Sequence, residues 1–206
     1  MGSDTAIVVL SCAWGNHPRT RNPWVWLHAR HWPDCPWPVH WIEDTIRGRA
    51  WGDFVVEAMS QVDARVVLVT MNDMVACAPT DTAEVVRCRD EMEAIGAAYY
   101  RICPTPECTT PFAHGHAGTH AIAAPYAKSL YPAFWRPTYL TMQAAGVGDP
   151  WSFELSPVRD PVGLHCAVTR ENRPYSIVEM LKRGQWTDDG RRVLTELGLP
   201  IPTEGA

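Results

Sequence analysis

The order of segments predicts an α/β sandwich, three layers deep, around a mostly parallel sheet. Two observations lead there. Short apolar runs of strand length alternate with segments of helical periodicity, and the first three such runs each end abruptly in polar or acidic residues. A continuous apolar run, unlike a strict apolar–polar alternation, is what a strand covered on both faces requires.

The first run, Ala6 to Ser11, gives a strand, and Pro23 to Arg30 follows with helical character, Pro23 being suited to a first turn. "PVHWIED" supplies a second strand ending at Glu43 and Asp44. Next, Trp51, Phe54, Val55, Ala58, Met59 and Val62 recur at spacings that form one helical stripe. "ARVVLVT" is the third strand. Asp81, with Glu84 three residues on, forms a capping-box-like start to a helix that Gly96 stops. "AAYYRI" is a further strand, and "YPAFW" another, followed by a helix from Pro137 to about Ala145 and a short one near Trp151 to Leu155. The stretch Phe112 to Ala124, rich in Gly, Ala and His, carries no clear period. The tail, "YSIVEMLKRGQWTDDGRRVLTELGL", suggests two short helices around Gly184–Trp186, and "PIPTEGA" a frayed end.

Composition narrows the function. The chain has 206 residues, enough for one domain with a substantial core, and neither an internal repeat nor a linker divides it. The net charge of −5, without a basic block, removes bulk electrostatic attraction to nucleic acid or anionic membrane, although a local basic groove is left open. No apolar run reaches the roughly 18 residues that cross a bilayer. Seven cysteines, odd in number and without C-x-x-C spacing, fit the reduced thiols of a cytoplasmic protein rather than a disulfide or zinc framework.

Ligands of an open α/β sheet gather at the carboxyl ends of its strands. Three of those ends carry distinctive groups: Ser11 and Cys12, then Glu43 and Asp44, then Asn72 and Asp73. Asp73 by itself admits both turn chemistry and ligand binding; three ends converging favour a site. In "GDPWSFELS", Asp149 or Ser152 can cap a short helix, and Glu154 either points into a cleft or is solvated. His114, His116 and His120 include an i, i+4 pair of metal-ligand spacing, but Gly115 and Gly118 argue for a loop, and surface histidines are the plainer reading. The ten tryptophans belong mostly to a core.

Taken in order, these motifs resemble small GT-A nucleotide-sugar glycosyltransferases of a bacterial and viral branch. The resemblance rests on "VTMNDM" followed by "APTD" and a helix, on "YYRICPTP", on Phe134-Trp135-Arg136, on Trp151-Ser152-Phe153-Glu154, and on the closing run from Val178 to Leu199. It spans nearly the whole chain as a single domain, with residues 1–110 as the nucleotide-sugar half and 111–206 as the acceptor and catalytic half. One departure stands out: the family's acidic pair is reduced to Asn72-Asp73, a single carboxylate.

The resemblance implies a transferase moving a sugar from a nucleotide-diphosphate donor to a glycan or small-molecule hydroxyl, with inversion. Glu154 would be the general base and Asp149 the competing one. Ser11, Cys12, Asp44, Asn72 and Asp73 would bind the donor, and Trp135 and Trp151 the acceptor. Asp73, with His165, would hold Mn²⁺ or Mg²⁺. The rival expectation is a non-catalytic nucleotide-sugar or carbohydrate-binding module, for which the lone Asp73 is the best argument.

Overall fold

The computed structural model describes residues 4–12, 17–46, 48–160, 163–182 and 184–201, without the side chains of residues 17 and 18. Of the frayed end expected from the sequence, residues 202–206 lie outside them.

The chain opens with β1 (Thr5–Ser11), α1 (His17–His31), β2 (Val39–Glu43), α2 (Trp51–Ser60), β3 (Val66–Met71) and β4 (Met74–Ala76). It continues through α3 (Thr82–Ala94), β5 (Tyr99–Arg101), β6 (Thr110–Pro111), β7 (Ala117–Thr119), β8 (Ala133–Trp135) and α4 (Pro137–Ala144). The last elements are α5 (Pro150–Leu155), β9 (His165–Val168), β10 (Ile177–Glu179), β11 (Leu181–Lys182), β12 (Gln185–Trp186) and α6 (Asp188–Glu196).

Among the described residues, eight strands form one sheet in the order β2-β1-β3-β8-β5-β9-β7-β6. The β2-β1-β3 half is parallel, as is β5 with β9, while β8 enters antiparallel between β3 and β5. The sheet is therefore mixed, and residues from either half of the chain alternate within it.

Both faces of the sheet are covered, which is why β1 and β3 run apolar through consecutive positions, Ala6 to Leu10 and Val66 to Val69. Ile7 and Val9 of β1 point into one core with Trp24, Leu27, Val85 and Met92; Ala6, Val8 and Leu10 point into the other with Trp51, Phe54, Leu140 and Phe153. The α2–α4 contact is so close that a Cβ on Gly52 would lie 2.0 Å from the Ala144 carbonyl oxygen. The amides of Trp51 and Gly52 donate to the carbonyls of Gly148 and Val147, satisfying orphan donors of the first turn of α2 from outside the helix. Asp81 caps α3 as expected, its carboxylate accepting from the Glu84 amide at 3.0 Å.

Two segments depart from the sequence reading. Helix α1 begins at His17, so Pro23 lies inside it rather than in its first turn; the missed turn, Pro18-Arg19-Thr20-Arg21-Asn22, offers no apolar stripe to announce it. The first tail helix is absent: β10 pairs antiparallel with β4, and β11 with β12. Ile177, Val178, Met180 and Leu181 keep helical spacing, and only Val178 and Met180 fall two apart as on one face of a strand. The open edge of β4, created where β3 breaks at Asn72-Asp73, selects the strand.

Candidate functional site

At the carboxyl end of β1 and β3 lies a cavity of about 330 Å³, lined by Cys12, Asn72, Asp73, Trp151, Glu154 and Glu179, with Met71, Met74, Leu130, Pro150, Leu181, Lys182 and Gly184 completing its wall. It gathers the ends of two parallel strands, one face of α5 and the β10–β11 region.

Asp73 occupies the turn between β3 and β4, as its turn reading expects, and it lines the cavity. Its backbone carbonyl accepts from the Met180 amide at 2.7 Å, which brings the end of β10 alongside. Glu179 arrives with it. Burial first, and then the neighbouring Glu179 charge, raise the Asp73 carboxyl from 3.8 to about 7. Burial also raises Glu179, as does the charge of Glu154, against the opposing pull of Lys182. A second carboxylate thus stands beside Asp73, contributed by a strand about a hundred residues later rather than by the adjacent position, which is Asn72. Sequence reasoning missed Glu179 because it assigned its segment to a helix and gave the residue no strand-end address.

Asn72 is buried, and its side-chain amide donates to the Thr20 hydroxyl on α1 at 2.8 Å. The residue ties α1 to the floor of the cavity. Cys12 lines the cavity, whereas Ser11 is fully buried and not among its lining residues. Asp44 also stays outside it: only 2% exposed, its Oδ1 accepts from the Ile46 amide at 3.1 Å and closes the turn after β2.

Pro150 and Phe153 are buried, Phe153 packing on Trp51 with ring centroids 4.9 Å apart. Trp151, 53% exposed, and Glu154 face the cavity. Glu154 Oε1 accepts two hydrogen bonds, from the Ser129 hydroxyl at 2.8 Å and the Leu130 amide at 2.7 Å. Asp149 is the N-cap of α5. Its Oδ1 accepts from the Ser152 amide and its Oδ2 from the Ser152 hydroxyl, which lower its pKa, and it does not line the cavity.

Two expectations are corrected by burial. Trp135, expected at the acceptor, is 1% exposed at the end of β8, its ring tilted against Tyr99 at 4.4 Å and Phe153 at 6.0 Å, where no ligand reaches it. His165, expected at a metal, is likewise 1% exposed. One ring nitrogen lies 2.7 Å from the Tyr139 hydroxyl and the other 2.6 Å from the Ala127 carbonyl. Burial lowers its pKa, and both nitrogens are engaged away from the cavity. Of the loop histidines, His114 binds Glu91 on α3 and stacks on His116, while His120 is buried with neither ring nitrogen partnered. Among the described residues no group of three or more His, Cys, Asp or Glu is arranged to hold a metal ion, and no helix is long and apolar enough to cross a membrane.

No family model matches the chain, and no curated protein matches it in sequence. Among solved structures it is similar to S. aureus TarS residues 1–349, solved in complex with UDP-GlcNAc. That match has a TM-score of 0.54 and 9% identity, and covers 96% of this chain but 65% of the TarS chain. A197 from STIV is similar at a lower level, with a TM-score of 0.45, 10% identity, and coverage of 86% of this chain and 87% of the other. The TarS likeness concerns the fold: this chain is a GT-A-like α/β sandwich.

Proposed function

We propose that this protein transfers a sugar from a nucleotide-diphosphate donor to a hydroxyl acceptor, with inversion. The observation that carries the reading is the single cavity that brings Asp73, Trp151 and Glu154 together at the carboxyl end of β1 and β3. The UDP-GlcNAc complex of the structural neighbour supports the donor class.

In this reading Glu154 is the general base. Oε1 is held by two donors, and Oε2 takes the proton as the acceptor oxygen bonds to the anomeric carbon and the bond to the diphosphate breaks. Trp151, exposed on the same wall, offers the apolar face on which a sugar ring stacks. Asp73 and Glu179 suit a hard divalent cation. Burial and the Glu179 charge raise the proton affinity of Asp73, burial and the Glu154 charge that of Glu179, and Mg²⁺ commonly uses one or two such carboxylates, with phosphate oxygens and water completing its shell. When bound, such a cation supplies positive charge for the departing diphosphate. Lys182 contributes further positive charge at the same wall.

The test is turnover of UDP-, GDP- and dTDP-sugars by wild type and Glu154→Gln, with donor affinity measured on both. Donor binding retained with transfer reduced about a hundred- to ten-thousandfold supports the base assignment. Donor binding without turnover by the wild type would make the protein a binding module instead.

A further inference from the structure

We propose that Ser129 is a positioning residue for Glu154, holding the carboxylate so that only Oε2 is presented to the acceptor hydroxyl. The inference rests on the reading of Glu154 as the base and adds to it the device that aims it.

A serine hydroxyl has one proton to give, and its direction is ordinarily free. Here it is not. The Tyr131 amide donates to Ser129 Oγ at 3.2 Å, occupying the acceptor side of the hydroxyl, and Ser129 Oγ in turn donates to Glu154 Oε1 at 2.8 Å. The Leu130 amide reaches the same oxygen at 2.7 Å. Three consecutive residues therefore converge on one carboxylate oxygen: two directly, and Tyr131 by orienting the serine. Both donors fall on Oε1, so Oε2 is the oxygen left to receive a proton.

The segment is itself fixed from behind. The Ser129 amide donates to the Tyr99 hydroxyl at 3.3 Å, and the Arg101 guanidinium donates to that same hydroxyl at 3.2 Å. Tyr99, Arg101 and Ser129 are all buried at 1% exposure or less, so this chain of hydrogen bonds is shielded from competing water. Glu154 sits on α5, a helix of 6 residues. So short a helix has few packing contacts of its own to orient an acid, and the 129–131 segment supplies what it lacks.

The experiment compares wild type, Ser129→Ala, Ser129→Thr, Glu154→Gln and the double variant Ser129→Ala/Glu154→Gln, each checked for folding by its thermal melt. Ser129→Ala removes one oxygen and adds no volume. It is expected to lower kcat about ten- to a hundredfold, as for a reacting group slightly misplaced, with donor KM unchanged. Ser129→Thr, which keeps the hydroxyl, is expected to restore kcat. In the Glu154→Gln background the serine change should cost nothing more, because it acts only through the carboxylate. Wild-type kcat in folded Ser129→Ala, or an undiminished loss in the Glu154→Gln background, would overturn the proposal while leaving the base assignment in place. Full activity of Glu154→Gln alone would overturn both.

Discussion

Asp73→Asn is a test of the site that needs no substrate. In the folded protein the Asp73 carboxyl sits near pH 7 instead of 3.8, through burial and the adjacent Glu179. Between those values the unfolded chain has released this proton while the folded chain still holds it, so stability falls as pH rises and the penalty is complete above pH 7. At about 1.4 kcal/mol per tenfold, the interval caps the penalty at about 4 kcal/mol. Solvent at the open mouth of the cavity screens the pair and reduces this to about 1–2 kcal/mol. Asparagine has nearly the same shape and never ionises. Asp73→Asn should therefore melt higher than wild type at pH 8, by about 2–8 °C for a domain of this length, and the gap should shrink severalfold at pH 5. Melts of both proteins across that range, in EDTA, make the comparison. A variant that melts with or below wild type at pH 8 would refute the account of two acids forced together.

Other consequences are equally direct. Mn²⁺ or Mg²⁺ should raise the melting temperature of wild type at pH 8 and leave Asp73→Asn and Glu179→Gln nearly unmoved, and EDTA should reverse the rise; equal shifts in all three would exclude this pair as the cation ligands. Trp151→Ala should change stability by no more than about half a kcal/mol, since the ring is 53% exposed, while weakening acceptor use in a transfer assay. Phe153→Ala, two residues away, should cost about 3–5 kcal/mol by chemical denaturation, because that ring is fully buried between Trp51 and Trp135. Gly52→Ala should also destabilise by about 1–3 kcal/mol or more, since the new methyl meets the Ala144 carbonyl.

The sequence by itself determined the alternation of strands and helices that makes this an α/β sandwich. Strands apolar at every position, such as Ala6 to Leu10, have to be buried on both faces, and local signals such as Asp81 before α3 or Pro137 and Pro150 at helix starts act within one turn of chain. It also determined that Asp73 and Glu154 deserve notice, one for breaking a strand with an acid and the other for its aromatic neighbours. Only the tertiary structure decided which candidates share a cavity. Trp135 and His165 carry the residue types of a site, yet the sheet order places both inside the protein. Glu179 carried no such mark, because a partner strand, and no local preference, made its segment β10. Ser129 likewise gained its relation to Glu154 across 25 residues of chain. Propensity and capping depend on neighbours in sequence, whereas burial, strand pairing and the meeting of carboxylates depend on neighbours in space, which the order of residues does not state.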